Sequence, residues 1–157
     1  MSDQNQFGES MFEKGAVMVR VGEVVEATRR QLVMSRETPR QVLQSIVEGI
    51  NTGNIDGLMS LYESGAAFAA QPGDLAHGLR GVRQSLTAFI NMKGTLDLKV
   101  TGVLEAGGLA LVVGAWSFTG SGADGAPVAL TGHNADVLRR QADGSWRFVI
   151  DNPWGVD

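Results

Sequence analysis

The 157-residue sequence predicts an α+β domain in which three N-terminal helices pack on a curved antiparallel sheet. Two observations lead to this fold class. Apolar residues recur at helical spacing between residues 38 and 93, and strand-like segments follow from residue 96 onward. Dipeptides typical of tight turns separate these later segments at Gly107-Gly108, Asp124-Gly125 and Asp143-Gly144. A sheet that curves over helices leaves a cone whose wide mouth can hold a small ligand.

The first predicted helix begins after Thr38. The Thr38 hydroxyl can accept from the free N–H groups of the first turn, Gln41 stands three residues later as in a capping box, and Pro39 occupies the first helical position. Gly53 ends the helix because a left-handed residue commonly closes the last turn. The apolar positions of this helix are Val42, Leu43, Ile46, Val47 and Ile50.

Two more helices are predicted before the sheet. One spans Ile55–Tyr62 with Asp56 as its cap, and the other spans Gly81–Lys93. The small apolar segment Ala66–Gln71 between them indicates a short strand or a turn. The inward-facing residues predicted here are Leu58, Leu61, Tyr62, Val82, Leu86, Phe89 and Ile90.

Four strands complete the predicted domain. They cover Leu96–Thr101, Leu109–Phe118, Val128–Gln141 and Trp146–Ile150. The Asp143-Gly144 dipeptide predicts a tight hairpin between the last two strands.

Residues 1–37 differ from the rest of the chain and are predicted to be an N-terminal extension to a domain at 38–157. Alternating Val residues indicate a short strand at Val17–Gly22, and apolar spacing indicates an amphipathic helix at Val24–Met34. Arginines give this stretch a basic face, which solvation alone explains. Whether the extension covers the cavity or enlarges a dimer contact stays open.

Composition excludes several function classes. The chain has no Cys, which excludes disulfides, Cys-zinc sites and thiol nucleophiles. The net charge of −4 and the pI of about 5.1 argue against binding to a nucleic-acid backbone. There is no apolar stretch of membrane-spanning length near the start and no basic signal-peptide region. We therefore expect a cytoplasmic protein with neither a membrane nor a nucleic acid as partner.

Neither a cofactor nor a metal ion is predicted. The run Gly120–Gly125 matches G-x-G-x-x-G, but Pro127 and Val128 follow it in a predicted strand, whereas a dinucleotide site needs those glycines to open a helix. The two histidines, His77 and His133, lack the short spacing of a metal motif.

Three segments carry a resemblance to a known superfamily. The run Ile50–Tyr62 resembles the helix–turn–helix opening of the nuclear transport factor 2-like superfamily, which includes ketosteroid isomerase and the SnoaL-like polyketide cyclases. The run Gly78–Arg83 resembles the entry to their third helix. The ending, Asp143–Gly155, resembles most closely the small YybH-like members. This resemblance implies the cone fold, a hydrophobic cavity and a homodimer paired through the outer face of the sheet.

The resemblance also locates the isomerase machinery in this sequence. It places the helix tyrosine of ketosteroid isomerase at Ile46, the aspartate base at Ala70 with Gln71 beside it, and the late-strand aspartate at Asp136. Ile46 cannot donate a hydrogen bond, and neither Ala70 nor Gln71 can accept a proton at neutral pH. Steroid isomerisation by that mechanism is therefore not expected, and one acid survives.

Asp136 is the predicted catalytic residue. In the family register it points into the cavity on the same strand face as Asn134 and Leu138, and an apolar pocket would raise its pKa. The alternative is a structural Asp136 that pairs with a backbone N–H or with an arginine such as Arg139 or Arg147.

The predicted ligand contacts combine aromatic walls with amides. Trp116 and Trp154 would pack against a ring, although both also suit a plain core. Asn152 shares a strand face with Trp154 and would orient the ligand, whereas Asp151 takes the opposite face. The full predicted set is Tyr62, Gln71, Trp116, Asn134, Asn152 and Trp154. His133 is expected on the convex side of the sheet, and His77 in a loop near the cavity mouth.

Two functions remain open at this point. The first is a small-molecule-binding domain with an apolar cavity and incomplete isomerase machinery, whose partner is an unidentified small apolar molecule. The second is an enzyme of isomerase, cyclase or dehydratase type that acts on a small apolar or cyclic substrate with Asp136 as its acid–base group. An inward Asp136 beside a second polar group favours the enzyme, and an Asp136 paired with arginine favours the binding domain.

Overall fold

Three helices and six strands make up residues 34–156, which are the residues that the computed structural model describes. The predicted strand at 17–22 and all but the last residue of the predicted helix at 24–34 lie outside them. The helices are α1 (Pro39–Thr52), α2 (Ile55–Met59) and α3 (Gly78–Asn91). The strands are β1 (Tyr62–Gln71), β2 (Asp74–His77), β3 (Thr95–Ala106), β4 (Leu109–Ser121), β5 (Pro127–Arg140) and β6 (Trp146–Asp151).

Helix α1 begins and ends as predicted. The Thr38 hydroxyl accepts from the Gln41 N–H at 3.2 Å, and the Gln41 side chain accepts from the Thr38 N–H at 3.0 Å, which completes the capping box. Gly53 closes the helix at φ 69°, where a side chain would be strained. Val42 and Leu43 are buried on the inward face.

We expect Thr38→Ala to lower the free energy of unfolding by about 1 kcal/mol, since it removes the hydroxyl acceptor of the cap. Urea denaturation of this variant beside Thr38→Ser, which keeps a hydroxyl, measures the difference. Equal losses in both variants would contradict the role of the capping oxygen.

Helix α2 is shorter than predicted and has a different cap. It ends at Met59, and the Asn54 side chain, not that of Asp56, accepts from the Gly57 N–H at 3.0 Å. The prediction that Tyr62 belongs to this helix is wrong. Strand β6 competes for the same backbone, because the Phe148 N–H donates to the Leu61 carbonyl and Tyr62 pairs with Phe148. Tyr62 is therefore the first residue of β1.

The sheet is larger than predicted and mixed in direction. Its strand order is β2-β1-β6-β5-β4-β3, and β1 runs parallel to β6 while the other neighbours are antiparallel. The segment predicted as a short strand or turn is the ten-residue strand β1. Because β1 and β2 precede α3, the three helices do not all come before the sheet.

Helices and sheet enclose a continuous hydrophobic core. Helix α1 packs against β3, β4 and β6, and α3 packs against β1 and β2. The Gly120–Gly125 segment ends β4 and turns into β5 without starting a helix, as predicted for this loop. Within residues 34–156, no helix has the length and apolar character that a bilayer crossing requires.

Candidate acid–base site

An apolar cavity of about 50 Å³ lies between helices α1 and α3 and the inner face of the sheet. Ile46 and Phe89 contribute to it from the helices, and Trp116 and Phe118 from β4. Its polar side chains are Asn134, Asp136 and Asp151, from the neighbouring strands β5 and β6. We call this space the inner cavity.

Asp136 lies on the inner face of β5, as predicted, and is only 1% exposed. One carboxylate oxygen accepts from the backbone N–H of Asn152 at 2.8 Å, and the other accepts from the Asn134 side-chain amide at 2.7 Å. The structural alternative is therefore met in one part, since a backbone N–H holds Asp136, but the version in which an arginine holds it is wrong for the described chain. Arg139 instead pairs with Glu63 at 3.0 Å, and none of the ion pairs among residues 34–156 includes Asp136.

A second carboxyl that the sequence analysis assigned to the other strand face lies beside Asp136. Asp151 is buried, and its Oδ2 accepts from the Tyr62 hydroxyl at 2.5 Å. The Tyr62 ring stacks on Phe148, with centroids 4.9 Å apart. Tyr62, Asp151 and Asp136 thus form a continuous buried polar group at the inner cavity.

A bulge in β6 turns Asp151 inward. Trp146 and Phe148 both face the core, so simple alternation predicts Ile150 inside and Asp151 outside. The β5–β6 register shifts where Leu138 pairs with Phe148 but Val137 pairs with Ile150, which leaves one extra residue in β6. Ile150 is consequently 39% exposed and Asp151 is buried. The residue pattern carries no local signal for this bulge.

The same bulge places Asn152 and Trp154 outside. They line a groove of about 1020 Å³ on the outer face of the sheet, together with Val113 and His133, and we call it the outer groove. The prediction that Asn152 and Trp154 share the ligand-facing side of the strand is therefore wrong for the inner cavity. Trp154 still touches the other predicted wall edge-on, with its ring centroid 5.4 Å from that of Trp116.

The remaining predicted residues divide between the inner cavity and the surface. Trp116 and Asn134 line the inner cavity, whereas Tyr62 lies behind Asp151 and reaches the site through its hydroxyl. Gln71 is exposed at the end of β1, so the structure does not bring it to the inner cavity. His133 lies on the outer face as predicted, and His77 is exposed just before α3.

Burial and mutual repulsion separate the acidities of the two carboxyls. Desolvation raises the pKa of Asp136 well above its usual value, and the neighbouring charge of Asp151 raises it further. Burial also raises the pKa of Asp151, to about 6, although hydrogen bonds from Tyr62 and Asp136 hold it down. Burial raises the pKa of Tyr62, so its hydroxyl stays protonated. The two carboxyls therefore titrate as a coupled pair, and both keep their protons to a higher pH than an exposed aspartate does.

We expect Tyr62→Phe to raise the pKa of Asp151 above about 6, because the lost O–H donor favours the carboxylate form. The carboxyl ¹³C chemical shift followed against pH measures this change. Asp143, whose pKa is lowered by hydrogen bonds from Ser145, serves as an internal control that should not move. An unchanged or lower Asp151 pKa would contradict the described contact.

The cone of helices on a bent mixed sheet, with acidic groups at an inner cavity, defines the chain as a nuclear transport factor 2-like domain. The family model described as a SnoaL-like domain matches residues 43–149, and the chain belongs to this family. The resemblance found in the sequence is thereby confirmed. The closer likeness to the YybH-like members stays a prediction.

Solved structures share the fold at low sequence identity. A ketosteroid isomerase-like protein from Erwinia carotovora atroseptica is 16% identical with a TM-score of 0.63, covering 71% of this chain and 88% of its own. A candidate dehydratase of the NTF2-like family from Streptomyces avermitilis is 17% identical with a TM-score of 0.61, covering 74% of this chain and 92% of its own. No match was found among the curated proteins.

Proposed function

We propose that this domain is an acid–base enzyme that acts on a small, uncharged, largely apolar molecule, with Asp136 as its acid–base group. The observation that carries the proposal is the pair of buried carboxyls, Asp136 and Asp151, at an apolar cavity with no cation paired to Asp136 among residues 34–156. Both carboxyls accept hydrogen bonds, but among the described residues no cation offsets the cost of burying their charge. Pairs of titratable groups whose environments separate their pKa values are typical of acid–base sites.

Asp136 and Asp151 have different roles in the proposed reaction of a carbonyl substrate. Protonated Asp136 donates its proton to the carbonyl oxygen while the Asp151 carboxylate takes a proton from the adjacent carbon, which yields an enol. In a β,γ-unsaturated ketone, Asp151 returns its proton to the γ-carbon and the enol proton goes back to Asp136, which completes an isomerisation. In a β-hydroxy ketone, Asp151 gives its proton to the departing hydroxyl, which leaves as water, and the enol proton goes back to Asp136. Tyr62 is a positioning residue that holds Asp151 through its hydroxyl. The likeness to an isomerase-like protein and a candidate dehydratase supports this reaction class.

The site differs from the machinery that the resemblance implies. Ile46 lines the inner cavity at the position of the isomerase tyrosine, and Ala70 is only partly buried at the position of the base. In the proposed mechanism β6 supplies the base instead, through Asp151. This replacement explains how the domain can carry out proton transfer although two of the three expected groups are missing.

A binding domain without catalysis is the second candidate. It is favoured by the absence of the expected donor at Ile46 and of the expected base at Ala70. The inner cavity of about 50 Å³ is small for either candidate, because pockets that bind drug-sized ligands measure roughly 300–1,000 Å³. In both cases the site would hold a molecule of few atoms, or would open before a larger one enters.

We further propose that two copies of the domain pair through the outer face of the sheet, as the resemblance implies. The exposed apolar side chains Leu111, Val113 and Ile150 on that face support this. Sedimentation equilibrium of the wild type and Val113→Lys tests it, and a monomeric wild type would contradict it. Location in the cytoplasm stays a prediction.

Hydrogen exchange on cyclopentanone tests the enzyme directly. We expect the wild type to accelerate exchange of the α-hydrogens in D₂O, followed by proton NMR, and Asp136→Asn or Asp151→Asn to lose about 10²–10⁴-fold of that rate. Asp97→Asn, the same change at an exposed residue of β3, is the matched control. Binding without exchange would favour the second candidate, and neither binding nor exchange would contradict both.

A further inference from the structure

The side-chain carbonyl oxygen of Asn134 has no hydrogen-bond partner among the described residues, although it is fully buried. Asn134 is 4% exposed and lines the inner cavity beside Asp136. Its amide nitrogen has two acceptors, a carboxylate oxygen of Asp136 at 2.7 Å and the carbonyl of Val112 at 3.4 Å. The amide nitrogen thus has hydrogen-bond partners, whereas the carbonyl oxygen has none among the described residues.

Asp136 can pair with either end of the amide, as an acceptor or as a donor when protonated, so the contact with Val112 is what favours the observed orientation. If the amide were turned over, its oxygen would face the Val112 carbonyl, and two acceptors would then repel each other. In the observed orientation the oxygen lies over Gly114 of β4. A Cβ atom at Gly114 would come within 2.8 Å of that oxygen, so a residue without a side chain leaves the space that it needs.

A buried hydrogen-bond acceptor lowers the stability of a protein unless a donor pairs with it. Leaving such a group unsatisfied destabilises a protein, and buried polar atoms in folded proteins nearly always have partners. An apolar side chain at residue 134 would suit the surrounding walls, which are formed by residues such as Leu98 and Trp116. The oxygen is therefore best explained by a donor that arrives with the ligand.

We propose that the Asn134 carbonyl oxygen accepts a hydrogen bond from a hydroxyl group of the substrate, and that the substrates are hydroxy ketones. This inference rests on the proposed function, because it assigns the ligand's carbonyl to Asp136. Residues two apart on one strand face have Cα atoms about 7 Å apart, and here the amide leans toward Asp136. The hydroxyl therefore lies one or two carbons from the carbonyl carbon.

A matched pair of ligands isolates this contact. Cyclopentanone and 2-hydroxycyclopentanone differ by one hydroxyl, and the second has no β-hydroxyl that the proposed dehydration could remove. NMR titration gives their affinities for the wild type and for Asn134→Leu. We expect the wild type to prefer the hydroxy ketone by about tenfold or more, and Asn134→Leu to lose that preference. The ratio of the two affinities isolates the hydroxyl contact. Asn134→Leu also removes the Asn134–Asp136 hydrogen bond, but that loss changes the affinity for both ligands alike. Asn91→Leu, at an exposed position that ends α3, is the control and should keep the ratio.

The outcomes separate this inference from the proposed function. Equal affinities in the wild type, with cyclopentanone exchange still catalysed, would overturn the role of Asn134 and leave the enzyme intact. A preference that survives in Asn134→Leu would also overturn it. No binding of either ligand, together with no exchange, would overturn both. If Asn134→Leu does not fold, Asn134→Ala gives the same comparison with a smaller side chain.

Discussion

Raising the pH from 4 to 8 is expected to lower the free energy of unfolding by about 2 kcal/mol through Asp151 alone. In the unfolded chain this carboxyl ionises near its ordinary pKa of 3.8, whereas in the folded domain it keeps its proton until the pH reaches about 6. Between these values the folded state binds more protons than the unfolded state, so stability is fully present below pH 4 and is lost as the pH rises. The pKa of Asp136 is also raised well above its ordinary value by burial, so this carboxyl adds a further loss of stability in the same direction as the pH rises.

Substitution of Asp136 tests this pH dependence. Asp136→Asn should make the loss of stability with rising pH smaller than in the wild type, because an amide has no proton to give up. Urea denaturation at several pH values measures the profile, and Asp97→Asn at an exposed position should reproduce that of the wild type. Identical profiles for the wild type and Asp136→Asn would show that Asp136 is not held protonated in the folded domain.

Phe148→Ala is expected to lower the free energy of unfolding by about 3–5 kcal/mol, the largest loss of any single substitution considered. The Phe148 ring is fully buried, stacks on Tyr62 and lines the inner cavity. Its removal leaves a void at the junction of β1 and β6, where the packed strands cannot simply collapse. Leu104→Ala is the control, because Leu104 is 72% exposed and its truncation should change stability by less than about 0.5 kcal/mol.

The Phe148 substitution also affects the site. Tyr62 loses the ring against which it packs, so its hydroxyl should hold Asp151 less firmly, and exchange activity should fall even below the unfolding temperature. Thermal and urea unfolding measure the stability loss, and the cyclopentanone assay measures the activity. A loss of stability below about 1 kcal/mol would contradict the described packing.

Much of the fold followed from local signals. The capping box at Thr38 and the left-handed Gly53 mark both ends of α1, because caps are determined by a few neighbouring residues. The Asp143-Gly144 turn marks the hairpin before β6 in the same way. The inward position of Asp136 was predictable because its strand alternates regularly and because the resemblance supplied the register.

The rest depended on contacts between residues far apart in the chain. Tyr62 has the spacing of a helical residue, yet pairing with β6 draws it into a strand, since the ladder satisfies backbone groups that the last helical turn would leave free. Asp151 depends on a bulge whose position is set by how β5 and β6 pair. From residue pattern alone, one acid and the outline of a cone were predictable. The carboxyl pair, and the Asn134 amide oxygen that has no partner among the described residues, exist only because β1, β5 and β6 lie side by side in the folded chain.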